Sequence, residues 1–301
     1  MRSTGPRRQL YWNRNLNDVS KRYDLDMGYV EVDGLALYYD RYGFGPPVVL
    51  LHGFTGSRTS WTDFVREINS EFCTLSFDLI GHGRSGSPAE KARYQMDQAV
   101  DDLVAAVKTI GFDKAVWVGY SLGGRTALQV WNRHPEVVSA LVVEGASPGI
   151  QDNLERRSRV ESDERLATEI LERGMEWFVE YWEALPLWHS QNQTLSASMK
   201  TAIRAQRMAQ REIGLANSLV GMGTGAQSWI GDDLQAITVP TLLVTGERDK
   251  KFIDISDEMA TRISSAVRVD IGLAGHAAHV ENPVEFNSVV REFLLRHREQ
   301  L

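Results

Sequence analysis

Short apolar runs recur along the chain, each closing in glycine or a polar turn, with helix-spaced segments between them. Gly28 to Val32 and Leu35 to Tyr39 alternate apolar and polar positions around Asp33-Gly34, a two-residue turn that signals a hairpin. From Val48 to Val143 the order becomes strand, helix, strand. Runs such as Pro47-Val48-Val49-Leu50-Leu51 and Ala115 to Gly119 read as buried strands, and Thr126 to Arg133 has the 3.6-residue period of a helix. This rhythm predicts a doubly wound, mostly parallel sheet. It breaks between Pro148 and about Asp232, where no strand signal appears. It resumes with Val239 to Thr245, a helix around Asp257 to Ile263, the strand Val267 to Ile271, and a closing helix from Pro283 to His297. We expect an α/β core at 27–147 and 233–301, with a helical lid at 148–232 over the sheet's active edge.

Composition narrows the class. The 301 residues, 43% hydrophobic and 24% charged, suit one large globular domain with an insertion. No apolar run approaches the roughly 20 residues of a membrane span, so no membrane insertion is expected. Arg2, Arg7, Arg8, Arg14, Lys21 and Arg22 make residues 1–26 a basic, flexible leader without a signal peptide's apolar centre. The formal charge of −7 gives no reason to expect nucleic-acid binding. Cys73 is the only cysteine and falls in a strand pattern, which suits a core position and a reducing cytoplasm.

The chemistry begins at Gly119-Tyr120-Ser121-Leu122-Gly123-Gly124, a G-x-S-x-G elbow between a strand and a helix. The glycines let the chain turn sharply enough to lift Ser121 to the strand's end. A serine hydroxyl needs an imidazole to take its proton and a carboxylate to orient that imidazole. In this chain order the acid follows a later strand and the histidine comes last. Asp249, at the end of Thr241 to Asp249, is the expected acid, with Glu247 and Glu144 as alternatives. His276, in the glycine-containing loop after Val267 to Ile271, is the expected base. His276 and His279 have the spacing of a metal pair, but no third ligand is placed nearby, and no metal or cofactor is expected. The strand ending in His52-Gly53-Phe54 would bring the Phe54 amide beside that of Leu122 to form an oxyanion hole. His52 reads as a structural loop histidine, and Phe77 to Ser85 as scaffold on the same edge.

Two features bear on the ligand. Trp177, Phe178, Tyr181, Trp182 and Leu185 recur at helical spacing and end at Pro186; most of this stripe should be lid core, with one or two rings over the pocket. Arginines are frequent from Arg156 to Arg211, interleaved with acids that pair most of them. Arg125 stands apart. It occupies the first turn of the helix beginning beside Ser121, where the macrodipole disfavours a cation, and makes best sense opposite an anionic ligand.

Taken together, these motifs resemble the α/β-hydrolase-fold 2-succinyl-6-hydroxy-2,4-cyclohexadiene-1-carboxylate synthases of menaquinone biosynthesis. The likeness runs from about Gly34 to the C-terminus. It rests on Leu51-His52-Gly53-Phe54-Thr55-Gly56-Ser57, on the elbow followed by Arg125, on Glu144 to Gly149, on Arg159, Asp163, Trp182 and Leu185-Pro186-Leu187 in the lid, and on Gly246 to Phe252 and Ala274 to Pro283. The leader has no counterpart in that pattern, and Trp188 stands where phenylalanine is expected. The resemblance implies the α/β-hydrolase fold and a cytoplasmic, cofactor-independent lyase. Ser121, deprotonated by His276, would remove the proton alpha to a succinyl ketone of a polycarboxylate, and pyruvate would be expelled. Arg125, Arg159 and Arg207 would hold carboxylates, and Tyr120 and Trp182 would contact the ring. The chain would act as a monomer or small homo-oligomer. The triad is common to other chemistries, so a serine hydrolase (a carboxylesterase or carbon–carbon bond hydrolase on a small anionic substrate) stands as the alternative. A non-catalytic ligand-binding protein on the same fold is a third class.

Overall fold

The computed structural model describes residues 26–301. The leader expected at 1–26 lies outside the described residues, apart from Asp26, which opens the first strand. Strands β1 (Asp26–Val32) and β2 (Leu35–Tyr42) form the expected hairpin, with Val32 opposite Leu35 and Asp33 and Gly34 at φ 45° and 73°. Two successive positive φ values match the right-handed twist of the flanking strands.

The remaining strands are β3 (Pro47–Leu51), β4 (Cys73–Phe77), β5 (Ala115–Tyr120), β6 (Val138–Glu144), β7 (Thr241–Gly246) and β8 (Ala266–Ile271). They build one sheet in the order β1-β2-β4-β3-β5-β6-β7-β8, with every pair from β4 to β8 parallel. Every residue of β5 and β6 is buried, as expected for central parallel strands covered on both faces. Side-chain alternation then divides the core in two. Leu51, Leu75, Trp117 and Leu141 face one side with α2 (Met96–Ile110) and α3 (Leu122–Arg133). Leu50, Val118 and Val142 face the other, against Trp61, Phe64 of α1 (Thr62–Ile68) and Phe286. Trp117 is fully buried and donates its indole N–H to the Val137 carbonyl at 3.2 Å, so truncation to alanine should cost about 3–5 kcal/mol.

Four helices lie between β6 and β7: α4 (Asn153–Glu183), α5 (His189–Thr194), α6 (Ala197–Met208) and α7 (Glu212–Met222). The Asp152 carboxylate caps α4 by accepting the Leu154 and Glu155 amides, and α4 kinks at Gly174. Ile170, Phe178 and Val179 of α4 pack on Leu215 and Leu219 of α7. The aromatic stripe divides accordingly. Phe178 is lid core, Trp182 turns toward the sheet, and Trp177 stacks on the exposed Tyr181.

After β7 come α8 (Lys250–Arg262), α9 (Ala278–Glu281) and α10 (Pro283–Arg296). Several boundaries differ from expectation, those of β7 and α8 among them. Strand β7 starts at Thr241 rather than Val239, because Pro240 has no N–H for the ladder and only its carbonyl pairs, with the Leu141 amide. Helix α8 starts at Lys250, well before Asp257, behind two lysines that its own dipole disfavours there. No helix among the described residues is long and apolar enough to cross a membrane.

Candidate active site

The turn from β5 into α3 places Ser121 at φ 51°, ψ −108°, a conformation rarely adopted by a side-chain-bearing residue. The strain is held by its neighbours. The Ser121 amide donates to the Glu144 carbonyl at 2.8 Å, and its own carbonyl accepts the Arg125 amide at 2.9 Å. A Cβ on Gly119 would lie 2.2 Å from the Gly123 carbonyl oxygen, and one on Gly123 would lie 2.0 Å from that of Leu51. Only glycine fits at either position, which is why the elbow sequence has the form it has.

His276 lies in the loop after β8, and its Nε2 is 3.1 Å from Ser121 Oγ. Its Nδ1 is 2.7 Å from Oδ2 of Asp249, the residue preceding α8. Of the alternative acids, Glu247 accepts the Leu273 amide, and buried Glu144 binds the amide and Nδ1 of His279, each at 3.0 Å. Of the three, Asp249 is the one within hydrogen-bond distance of His276. His279 stacks on Trp61 with ring centroids 4.6 Å apart and is engaged by a carboxylate. Among the described residues no cluster of three or more histidine, cysteine or acidic side chains has metal-binding geometry.

A cavity of about 540 Å³ opens over Ser121 and His276, within the size range of small-molecule sites. Phe54 and Leu122 both line it, and among the described residues neither backbone amide donates to a protein acceptor. Two unsatisfied N–H groups beside a nucleophile are what an oxyanion requires. His52 supports this loop from behind. Fully buried, its Nδ1 donates to the Gly53 carbonyl and its Nε2 accepts the Leu79 amide. Burial pushes its pKa down to about 4, so the ring is neutral.

Arg125 lines the cavity from the first turn of α3. Its Nη1 donates to the Met222 carbonyl at 2.7 Å and to Gln227 Oε1 at 2.6 Å, and among the described residues it meets no carboxylate. Burial, then the nearby Arg159 cation, pulls its pKa down to about 9, leaving it charged at neutral pH. The Asp163 carboxylate offsets this only in part and without touching the guanidinium, and a ligand carboxylate arriving in the cavity would relieve the cost that remains. Arg159 lines the same cavity, with Nε donating to both Asp163 oxygens at 2.9 Å. Trp182 is a further wall, its ring 5.3 Å from that of Phe54. Tyr120 lines the cavity too. Its buried hydroxyl has no partner, and burial together with Glu144 holds its pKa well above the usual value, so it remains a neutral O–H.

Arg207 is the exception among the expected ligands. It lines an adjoining chamber of about 60 Å³ that shares Phe54, Tyr120 and Trp188 with the first, donates to Glu183 at 3.1 Å and stacks over Trp188. Glu183, at the end of α4, is its ion-pair partner, and Tyr120 and Trp188 stand between it and Ser121's cavity. Among the cavity residues given no role in the sequence reading are Lys251 and Phe252, in the first turn of α8. The Phe252 ring lies 4.6 Å from that of His276. Lys251 carried the same signal as Arg125, a cation at a helix N-terminus next to a proposed catalytic residue.

The comparisons with known proteins agree with this geometry. Residues 46–283 match the model of a family described as the alpha/beta hydrolase fold. A Bacillus subtilis (strain 168) protein, whose name carries the activity 2-succinyl-6-hydroxy-2,4-cyclohexadiene-1-carboxylate synthase, is 42% identical over 82% of this chain and 89% of its own length. The structure of MenH from S. aureus superposes with a TM-score of 0.82 at 30% identity, covering 86% of this chain and 98% of that one. A thermophilic esterase from Thermogutta terrifontis, solved with malate bound, superposes at 0.80 with 25% identity over 90% of this chain and 98% of its own. The chain belongs to the α/β-hydrolase fold family and, within it, to the 2-succinyl-6-hydroxy-2,4-cyclohexadiene-1-carboxylate synthases.

Proposed function

We propose that the protein is a lyase that eliminates pyruvate from 2-succinyl-5-enolpyruvyl-6-hydroxy-3-cyclohexene-1-carboxylate to give 2-succinyl-6-hydroxy-2,4-cyclohexadiene-1-carboxylate. The observation that carries this reading is the pairing, across one cavity, of the Ser121–His276–Asp249 relay with a buried Arg125 that contacts no carboxylate among the described residues. A base alone suits many reactions; a base facing a buried cation that contacts no carboxylate suits an anionic substrate.

In this reading His276 Nε2 takes the Ser121 proton, and the serine oxyanion removes the ring proton alpha to the succinyl ketone. The Phe54 and Leu122 amides hold the oxygen of the dienolate that forms. The ring double bond then shifts, the carbon–oxygen bond to the enolpyruvyl group breaks, and the proton held on the relay leaves with the pyruvate fragment. Asp249 keeps the His276 tautomer aligned and stabilises the imidazolium. Arg125, Arg159 and Lys251 are the carboxylate ligands, and Tyr120 and Trp182 bound the ring. No metal or cofactor is required by these steps, and the reaction suits a cytoplasmic enzyme.

Ester hydrolysis is the second reading, favoured by the likeness to the malate-bound esterase. The discriminating experiment supplies purified protein with the enolpyruvyl-succinyl precursor and, separately, with p-nitrophenyl acetate. The lyase releases pyruvate from the first and is nearly silent on the second. A burst of nitrophenol without pyruvate release would establish the hydrolase instead.

A further inference from the structure

We infer that Glu281 is a positioning residue for His276, clamping the backbone on both sides of the imidazole and tying it to the lid. The inference rests on the reading of His276 as the base. Glu281 ends the short helix α9, and its carboxylate turns back toward the loop that precedes that helix. Oε2 accepts the Gly275 amide at 2.9 Å, and Oε1 accepts the Ala277 amide at 3.4 Å. The two amides belong to the residues immediately before and after His276. Reaching back to the start of its own helix is ordinary capping. Here the capped amides also set the Cα position from which the His276 ring projects.

The same carboxylate reaches the lid. The Thr194 hydroxyl of α5 donates to Oε2 at 3.4 Å. Ser190, one turn earlier, packs so closely that a Cβ on Gly275 would sit 2.0 Å from its oxygen. Helix α5 also meets the acid's loop, where Gln193 accepts from Arg248, the neighbour of Asp249. Aromatic contacts restrain the ring itself, from Phe252 at 4.6 Å and Tyr120 at 5.3 Å between centroids. Those contacts leave the loop backbone free to shift. The Ala274 carbonyl is anchored by the Arg248 amide and the Ala277 carbonyl by the Val280 and Glu281 amides, while the two amides flanking His276 are held by the Glu281 carboxylate. A displacement of about 1 Å at a catalytic group can cost on the order of 100-fold in rate.

The test uses Glu281→Ala, Glu281→Gln and Thr194→Val in the full chain, with two readouts. The first is the rate at which phenylmethylsulfonyl fluoride labels Ser121, which needs only the serine–histidine pair and no knowledge of the substrate. The second is kcat and KM for pyruvate release. Glutamine keeps one acceptor oxygen where the carboxylate had two. We expect labelling and kcat to fall roughly tenfold or more in Glu281→Ala, less in Glu281→Gln, and least in Thr194→Val, with KM within about twofold because the cavity cations are untouched. Should Glu281→Ala fail to fold, the order wild type, Thr194→Val, Glu281→Gln carries the test alone. Labelling that is unchanged in folded variants overturns the inference, as does a rise in KM that matches the fall in kcat. If wild-type protein labels normally but releases no pyruvate, the proposed reaction fails while the labelling series still decides the role of Glu281.

Discussion

The guanidinium of Arg125 donates through Nη1 to the side-chain oxygen of Gln227 at 2.6 Å, a neutral partner for a buried cation. The charge therefore remains available to a ligand. For Arg125→Lys we expect KM to rise by at least about tenfold with a smaller change in kcat, because lysine cannot reproduce planar, paired donation to a carboxylate. Steady-state kinetics of pyruvate release checks this. Unchanged constants would remove the anion-site argument.

Lys251 sits at the other side of the same cavity, exposed at the start of α8. Its charge is screened by solvent, unlike that of Arg125. For Lys251→Ala we expect a KM increase of only about 2–5-fold, as befits an exposed ion pair of under about 1 kcal/mol, and one that shrinks in high salt. A salt-independent increase would contradict this assignment.

How far the site was legible in the sequence depends on how local each signal was. The elbow was readable because steric exclusion at Gly119 and Gly123 acts within a few residues. Asp249 and His276 were readable because parallel strands present their carboxyl ends on one edge, so position after a strand implies position in the site. The pairing of Arg207 was not legible, because its partner Glu183 is on another helix, which spacing within α6 does not reveal. Lys251 was overlooked because a single exposed lysine resembles any solvated charge until the cavity beside it is seen. The lid was legible only as an absence of strands. The packing of Ile170 and Phe178 against Leu215 and Leu219 of α7 joins residues far apart in the chain, which no periodicity encodes.

His52 and His82 give a pH dependence of stability. Burial holds both rings neutral when folded, with pKa values lowered to about 4 and about 3. Unfolded, each titrates near 6.5. The unfolded state therefore binds more protons between the two values, and stability is lost as pH falls from about 6.5 toward 4. At pH 5.5 the loss should be about 1.4 kcal/mol for each ring relative to neutral pH. Urea unfolding at pH 7.5 and 5.5 measures it. Equal stabilities at the two pH values would show that the rings protonate in the folded state.

Replacing Ser121 by alanine removes the proposed base and leaves the cations in place. We expect kcat to fall by about 10³-fold or more with KM little changed, the pattern of an interaction made only in the transition state. Competitive binding of a tricarboxylate to the variant, followed calorimetrically, should match wild type. A variant that turns over normally would exclude the serine.

The most direct test of the account is the rate of pyruvate release from substrate carrying deuterium at the ring carbon alpha to the succinyl ketone. Removal of that proton by the Ser121–His276 pair predicts a severalfold slower kcat/KM for the deuterated substrate. Pyruvate release at the same rate from both substrates would contradict it.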